Sequence, residues 1–131
     1  MIRNLTTDCL IKKVLAAAVT GTTTLTTSTV DMEGYRGVTF VTTLGSANAG
    51  NTLSVQESND DGNTDAYAAP SGGPVAGASV LPIVEVYAPA KRYVQGVVTR
   101  GVTTTVGEVY AILTGRERPV SNPSAVLAAN V

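Results

Sequence analysis

At 131 residues, with a net charge of −1 and a pI near 5.2, the chain has room for one domain that buries roughly two thirds of its unfolded surface. It lacks the basic surface that sequence-independent binding to nucleic acid requires. With no histidine and a single cysteine, Cys9, the usual Cys/His zinc pairs, His-based proton transfer and an intrachain disulfide are excluded.

Valine and threonine are abundant and aromatics scarce, with no Trp and one Phe, which is a composition suited to pleated sheets. Residues 1–9 read as an N-terminal arm. The first regular element is LIKKVLAAAV (10–19), where Leu10, Ile11, Val14, Leu15, Ala18 and Val19 also fit one face of an amphipathic helix. A strand is preferred, because the alanines run into a Gly21 turn and the flanking sequence is β-like. The same stretch has the superficial form of a signal peptide, but the apolar run is too short and Asp8 spoils the positive leader. No apolar stretch approaches the roughly 18 to 20 residues that cross a bilayer, so a soluble, intracellularly made protein with no membrane partner is expected.

TTTLTTSTVDM (22–32) is β-prone, yet Leu25 and Val30 fall on opposite parities, so a bulge or break must separate them. GVTFVTTL (37–44) alternates, with Val38, Phe40 and Leu44 expected toward the core. TLSVQES (52–58) puts Leu53 and Val55 together, and LPIVEVYA (81–88) sets Val84 and Val86 opposite Ile83, Glu85 and Tyr87. Pro82 belongs at a strand start or on an edge, where its missing donor does no harm. RYVQGVVTR (92–100) and GEVYAILT (107–114) are apolar on each face and joined by GVTTTV. They are expected to form an antiparallel pair in the middle of a sheet. The whole reads as an all-β, single-domain antiparallel β-sandwich or jelly roll over residues 10–116, between the N-terminal arm and a C-terminal arm at 117–131.

QESNDDGNTDAY (56–67) gathers Glu57, Asp60, Asp61 and Asp65. As a calcium loop it offers Glu57, Asn59 and Asp61 at the first, third and fifth positions and Gly62 at the sixth, but Ala68 stands where the bidentate Glu is required. A weaker oxygen-ligand site and a solvated hairpin loop both remain open. The loop is preferred, because Asp60-Asp61-Gly62 supplies residues that tolerate positive φ and bond their own backbone. Adjacent hydrated carboxylates lack the opposed environments that split pKa values for acid–base work. Glu85 and Glu108 read as exposed cross-strand positions or partners of Arg100. No catalytic constellation, metal site or cofactor is expected, and the chain is read as non-enzymatic.

Lys91, Arg92, Arg100, Arg116 and Arg118 are candidate partner-binding residues. If the two late strands pair, Lys91 and Arg92 share an end with Arg116 and Arg118, and Arg100 lies toward the connecting turn. That end is either a basic patch for an acidic partner surface or a set of ordinary solvated strand ends. The tail ERPVSNPSAVLAANV (117–131) adds an apolar patch, Val126 and Leu127, which reads as an arm on a neighbour or a frayed terminus.

The blocks DMEGYRGVTFVTTLG (31–45), VQESNDDG (55–62), APAKRYVQGVVTRG (88–101) and AILTGRERPV (111–120) together resemble small proteins encoded in the head modules of tailed bacteriophages, some of them capsid cement or decoration proteins. The resemblance covers roughly residues 10–120 and is a pattern of β signals more than of chemical groups. It implies a β-sandwich or jelly roll bound in many copies, as trimers or dimers, to the major capsid protein on the outer face of the virion, after synthesis in the bacterial host cytoplasm. The short, weakly charged tail departs from the family. A tail or head-tail completion protein would suit the same composition, whereas a carbohydrate-binding module would need more exposed aromatics than five Tyr and one Phe provide.

Overall fold

The computed structural model describes residues 5–70 and 73–115. After a single helical turn, α1 (Leu5–Asp8), come β1 (Leu10–Leu15), β2 (Ala18–Gly21), β3 (Leu25–Thr26), β4 (Val30–Asp31), β5 (Gly37–Val41) and β6 (Asn51–Ser58). They are followed by β7 (Val75–Gly77), β8 (Ile83–Tyr87), β9 (Tyr93–Arg100), β10 (Thr104–Val106) and β11 (Val109–Thr114). One sheet runs β1-β11-β5-β8; the other runs β3-β9-β6-β7, with β4 beside β3 on the same flank of β9. All pairings are antiparallel, and β10 with β2 forms a small third ladder. The result is an all-β sandwich, as the strand rhythm predicts.

Period-two alternation sets the inner faces. Val38 and Phe40 of β5, Val84 of β8, and Val109, Ala111 and Leu113 of β11 point inward from the first sheet. Leu53 and Val55 of β6, Val94 and Val98 of β9, and Val30 of β4 meet them from the second. Phe40 and Leu53 are fully buried. The side chain of Val84 goes in while Ile83, Glu85 and Tyr87 face out, and Pro82 sits immediately before β8, an edge strand of its sheet.

Residues 10–19 are strand, broken at Ala16-Ala17, with a bulge between Lys13 and Leu15. Residues 22–32 divide as the parity conflict requires: Leu25 pairs with Val98 and Val30 with Val94, on the same flank of β9. Cys9 is fully buried, so the packed body begins just after α1.

One expectation is overturned. The stretches 92–100 and 107–114 do not pair with each other; β9 lies between β6 and β3/β4 in one sheet, and β11 between β1 and β5 in the other. The connector GVTTTV is not a hairpin turn, because it contains β10, which pairs with β2, while Val106 also bridges to Leu44. The chain therefore crosses from one sheet to the other at this corner. Apolarity on both faces fits two central strands, but it does not say that they share a sheet.

The two outer faces differ in chemistry. On the second sheet, Thr52 lies opposite Thr99, Ser54 opposite Val97 and Gln56 opposite Gln95, with the Gln95 amide donating to Gln56 Oε1 at 2.9 Å. On the first sheet, the registers place Lys13, Tyr110, Val41 and Ile83 in one cross-strand row, with Ile11, Ile112, Thr39 and Glu85 in the next.

Candidate functional site

The acidic stretch is a turn whose carboxylates serve its own backbone. Asp61 and Gly62 take φ of 60° and 78°, the left-handed region that Asp and Gly tolerate best. Asp60 accepts from Thr64 N–H at 2.8 Å, the Thr64 hydroxyl at 2.5 Å and Asp65 N–H at 3.0 Å. The Ser58 hydroxyl donates to the Asp65 carbonyl and accepts from Gly62 N–H. Asp61 Oδ1 accepts from the hydroxyls of Thr29 at 2.6 Å and Tyr67 at 2.7 Å, which ties the turn to the β3–β4 link. Asp65 accepts from Asn59 N–H and from Lys91. Glu57 does not join them: it shares the inward parity of Leu53 and Val55, is buried, and its Oε2 has no hydrogen-bond partner among the described residues. Among the described residues, no three Cys, Asp or Glu side chains converge as a metal-holding group.

Two of the basic residues singled out in the sequence are bound to acids, Lys91 to one in this turn and Arg92 to those at the β4 end. Lys91 Nζ lies 2.8 Å from Asp65 Oδ2. Arg92 forms a two-pronged contact with Asp31, at 2.9 and 2.8 Å, and reaches Glu33 at 2.8 Å, with its guanidinium 5.1 Å above the Tyr93 ring. Asp31, Glu33 and Asp65 neutralise the positive charge expected there. Their link to Lys91 and Arg92 spans many residues, and no local spacing announces it.

The side-chain hydrogen bond from Arg92 holds the Asp31 carboxyl down at about 2, and the bonds from Thr64 hold Asp60 down at about 2. Carboxylates depressed in the folded state stabilise it fully above the unfolded value near 3.9 and lose that contribution as pH falls through the folded value. The melting temperature is therefore expected to fall between about pH 4 and pH 2. Asp31→Asn should lower the melting temperature at neutral pH and flatten that decline; a thermal melt series in acid checks both.

Arg100 is not at the surface. Only 6% exposed, it donates from Nε to the Thr23 carbonyl at 2.7 Å and from one terminal nitrogen to the carbonyls of Val19 at 2.8 Å and Thr104 at 3.1 Å. Gly21 leaves room for it, since a Cβ there would stand 3.2 Å from the guanidinium. Arg100 thus rivets the small β10–β2 ladder to the end of β9. It pairs with neither Glu85 nor Glu108; Glu85 is exposed on β8, and Glu108 accepts from the Tyr110 hydroxyl and lies 4.0 Å from Lys13. Arg116, Arg118, Val126 and Leu127, with the 117–131 arm, lie outside the described residues.

Lys91 and Arg92 do line an open groove between the 32–36 and 88–92 turns, together with Met32, Tyr35, Arg36 and Ala88. Arg36, absent from the sequence-based candidates, is the exposed cation of this groove without an ion-pair partner among the described residues. Ala88 takes φ of 52° ahead of Pro89, a strained conformation for a residue before proline. Its N–H donates to the Arg36 carbonyl, which joins the two turns.

No protein-family model matches the chain, and no curated protein matches it in sequence. Solved structures that share its fold include two prophage proteins. The SPBc2 prophage-derived protein YomS superposes with a TM-score of 0.53 at 9% identity, over 88% of this chain and 100% of its own. The PBSX exported protein XepA superposes with a TM-score of 0.59 at 18% identity over 100% of this chain. The chain spans just under half of XepA, 46% of its length. At these identities the likeness is one of fold.

Proposed function

We propose that the chain is a non-enzymatic structural protein of a tailed-bacteriophage virion, a capsid cement or decoration protein that binds the outer surface of the head. The observation that carries this reading is that two similar folds, YomS and XepA, bear prophage names and superpose on 88% and 100% of the chain. The order of the β signals over residues 31–120, with its resemblance to phage head-module proteins, supports the same reading.

The chemistry is compatible with it. The aspartates of the 60–65 turn are engaged within the fold and Arg100 is a buried anchor, as a scaffold role needs. The major capsid protein is the proposed partner and the capsid surface the proposed location, with the chain acting as a homo-oligomer. Net charge gives no support to nucleic acid as a partner, and no described helix is long and apolar enough to cross a membrane. Repetition over a symmetric shell lets modest contacts add up.

Heads assembled without this protein are expected to rupture at a lower temperature than complete heads, and added protein should restore the difference. Heads that are equally stable with and without it would overturn the cement role. Density confined to the tail or portal would replace it with a tail or head-tail completion role.

A further inference from the structure

The two faces of the sandwich are built for different surroundings. The outer face of the β3-β9-β6-β7 sheet is mainly Thr, Ser and Gln, with Val75 and the nearly covered Val97 as its valines. The outer face of the β1-β11-β5-β8 sheet instead carries Tyr110, Val41 and Ile83 as direct cross-strand neighbours, with Ile11 and Ile112 in the adjoining row. Ile83 is 54% exposed and Tyr87 70%. Leu81, two residues before Ile83 and just ahead of β8, adds apolar surface beside this row and, with Val41 and Tyr110, lines a shallow open groove. Contiguous exposed apolar surface on a sheet face marks an interaction site.

We propose that this face is covered by a second copy of the same chain, packed sheet on sheet about a two-fold axis parallel to the strands. The charges at its margins select the occupant and the axis. Lys13 lies at the β1 margin and Glu85 at the β8 margin, one side-chain row apart. Both are exposed, and among the described residues Lys13 approaches an acid only at Glu108, at 4.0 Å. A two-fold axis along the strands lays β1 of one copy over β8 of the other, so Lys13 meets Glu85 twice. An axis across the strands would stack Lys13 on Lys13 and Glu85 on Glu85, which like-charge repulsion disfavours. An isologous contact of this kind closes after two copies.

The area sets the strength. Four strands about 4.8 Å apart and five or six residues long at about 3.4 Å per residue give a flat footprint of roughly 350 Å². That is well below the ~800 Å² per partner of a standard interface, even with Leu81 and Tyr87 adding to it. The dimer is therefore weak and is reinforced when many copies sit on one lattice. This inference deepens the homo-oligomer part of the proposed function by naming its face. It fails separately: a strictly monomeric protein that binds heads leaves the virion role standing and removes the dimer.

Sedimentation equilibrium of the full chain from ~10 µM to ~1 mM tests it. The wild type should show a monomer–dimer equilibrium, weakened at least tenfold by Lys13→Glu or by Glu85→Lys. Mixing the two variants should restore association. In the mixed dimer the two substituted positions face each other with their charges exchanged, and the second contact keeps its native Lys13 and Glu85. Ile83→Asp, at a position more than half exposed, should abolish the dimer without using the margin charges. A wild type that stays monomeric throughout, an Ile83→Asp variant that dimerises normally, or a mixture no tighter than its components would overturn the proposal.

Discussion

Replacing Arg100 by methionine is expected to destabilise the fold by about 3–5 kcal/mol, since it removes a buried cationic donor whose hydrogen bonds to three carbonyls are worth roughly 1.5–3 kcal/mol each before relaxation. Methionine preserves much of the side-chain length but donates nothing, so the carbonyls of Val19, Thr23 and Thr104 all lose the bonds the guanidinium supplies. The Thr104 carbonyl is the buried one and is left unsatisfied, whereas Val19 and Thr23 are exposed and their carbonyls can turn to water. For a domain of this size the melting temperature should fall by roughly 10–18 °C. Arg100→Lys keeps the charge but loses the fork, and it should fall between the two. Were Arg100 a surface contact residue, Arg100→Met would leave the melt unchanged and weaken only partner binding. Thermal denaturation of the three proteins separates these outcomes.

Phe40→Ala should cost about as much, roughly 3–5 kcal/mol, for a different reason. Phe40 is the chain's single phenylalanine and has no exposed surface. It projects from the middle of β5 toward the opposing sheet, where Gly96 of β9 makes room: a Cβ at Gly96 would lie 3.2 Å from the ring. Truncation leaves a void between sheets whose backbones are fixed by ladders on both sides, so little collapse is available to fill it. Ile83→Ala, on the same sheet but the outer face, should cost less than about 1 kcal/mol, since more than half of that side chain already meets water. Equilibrium urea unfolding gives both values. A Phe40→Ala cost close to that of Ile83→Ala would mean that the inner face is assigned to the wrong side.

The strand faces were legible because alternation is local. Val38 and Phe40, Leu53 and Val55, and Val84 against Ile83 can each be sorted from a few neighbouring residues. The break between Leu25 and Val30 was legible for the same reason, as a conflict of parity. Partnering between strands was not. Nothing in YVQGVVTR or VYAILT records that they belong to different sheets, because that is decided by β10 turning aside to pair with β2.

The same limit applies to the side chains. Lys91 and Arg92 were recognisable as a cationic pair, but their acidic partners Asp65, Asp31 and Glu33 stand 26 to 61 residues away. The turn at Asp60-Asp61-Gly62 was legible from its own residues, whereas the tie to Thr29 and Tyr67 needed the fold. The apolar outer face had a signal, the apolarity of 107–114 on both faces. That signal fits a strand covered on both sides, and here the second cover is not supplied by the described part of the chain itself.

The proposed role is tested most directly by adding the purified chain to heads assembled without it and imaging the complexes by cryo-electron microscopy. The expected result is saturable density repeated at equivalent positions over the outer shell lattice, with a sandwich of this size fitting each feature. A lattice that stays bare at saturating protein, or density found only at the portal or tail, would contradict it.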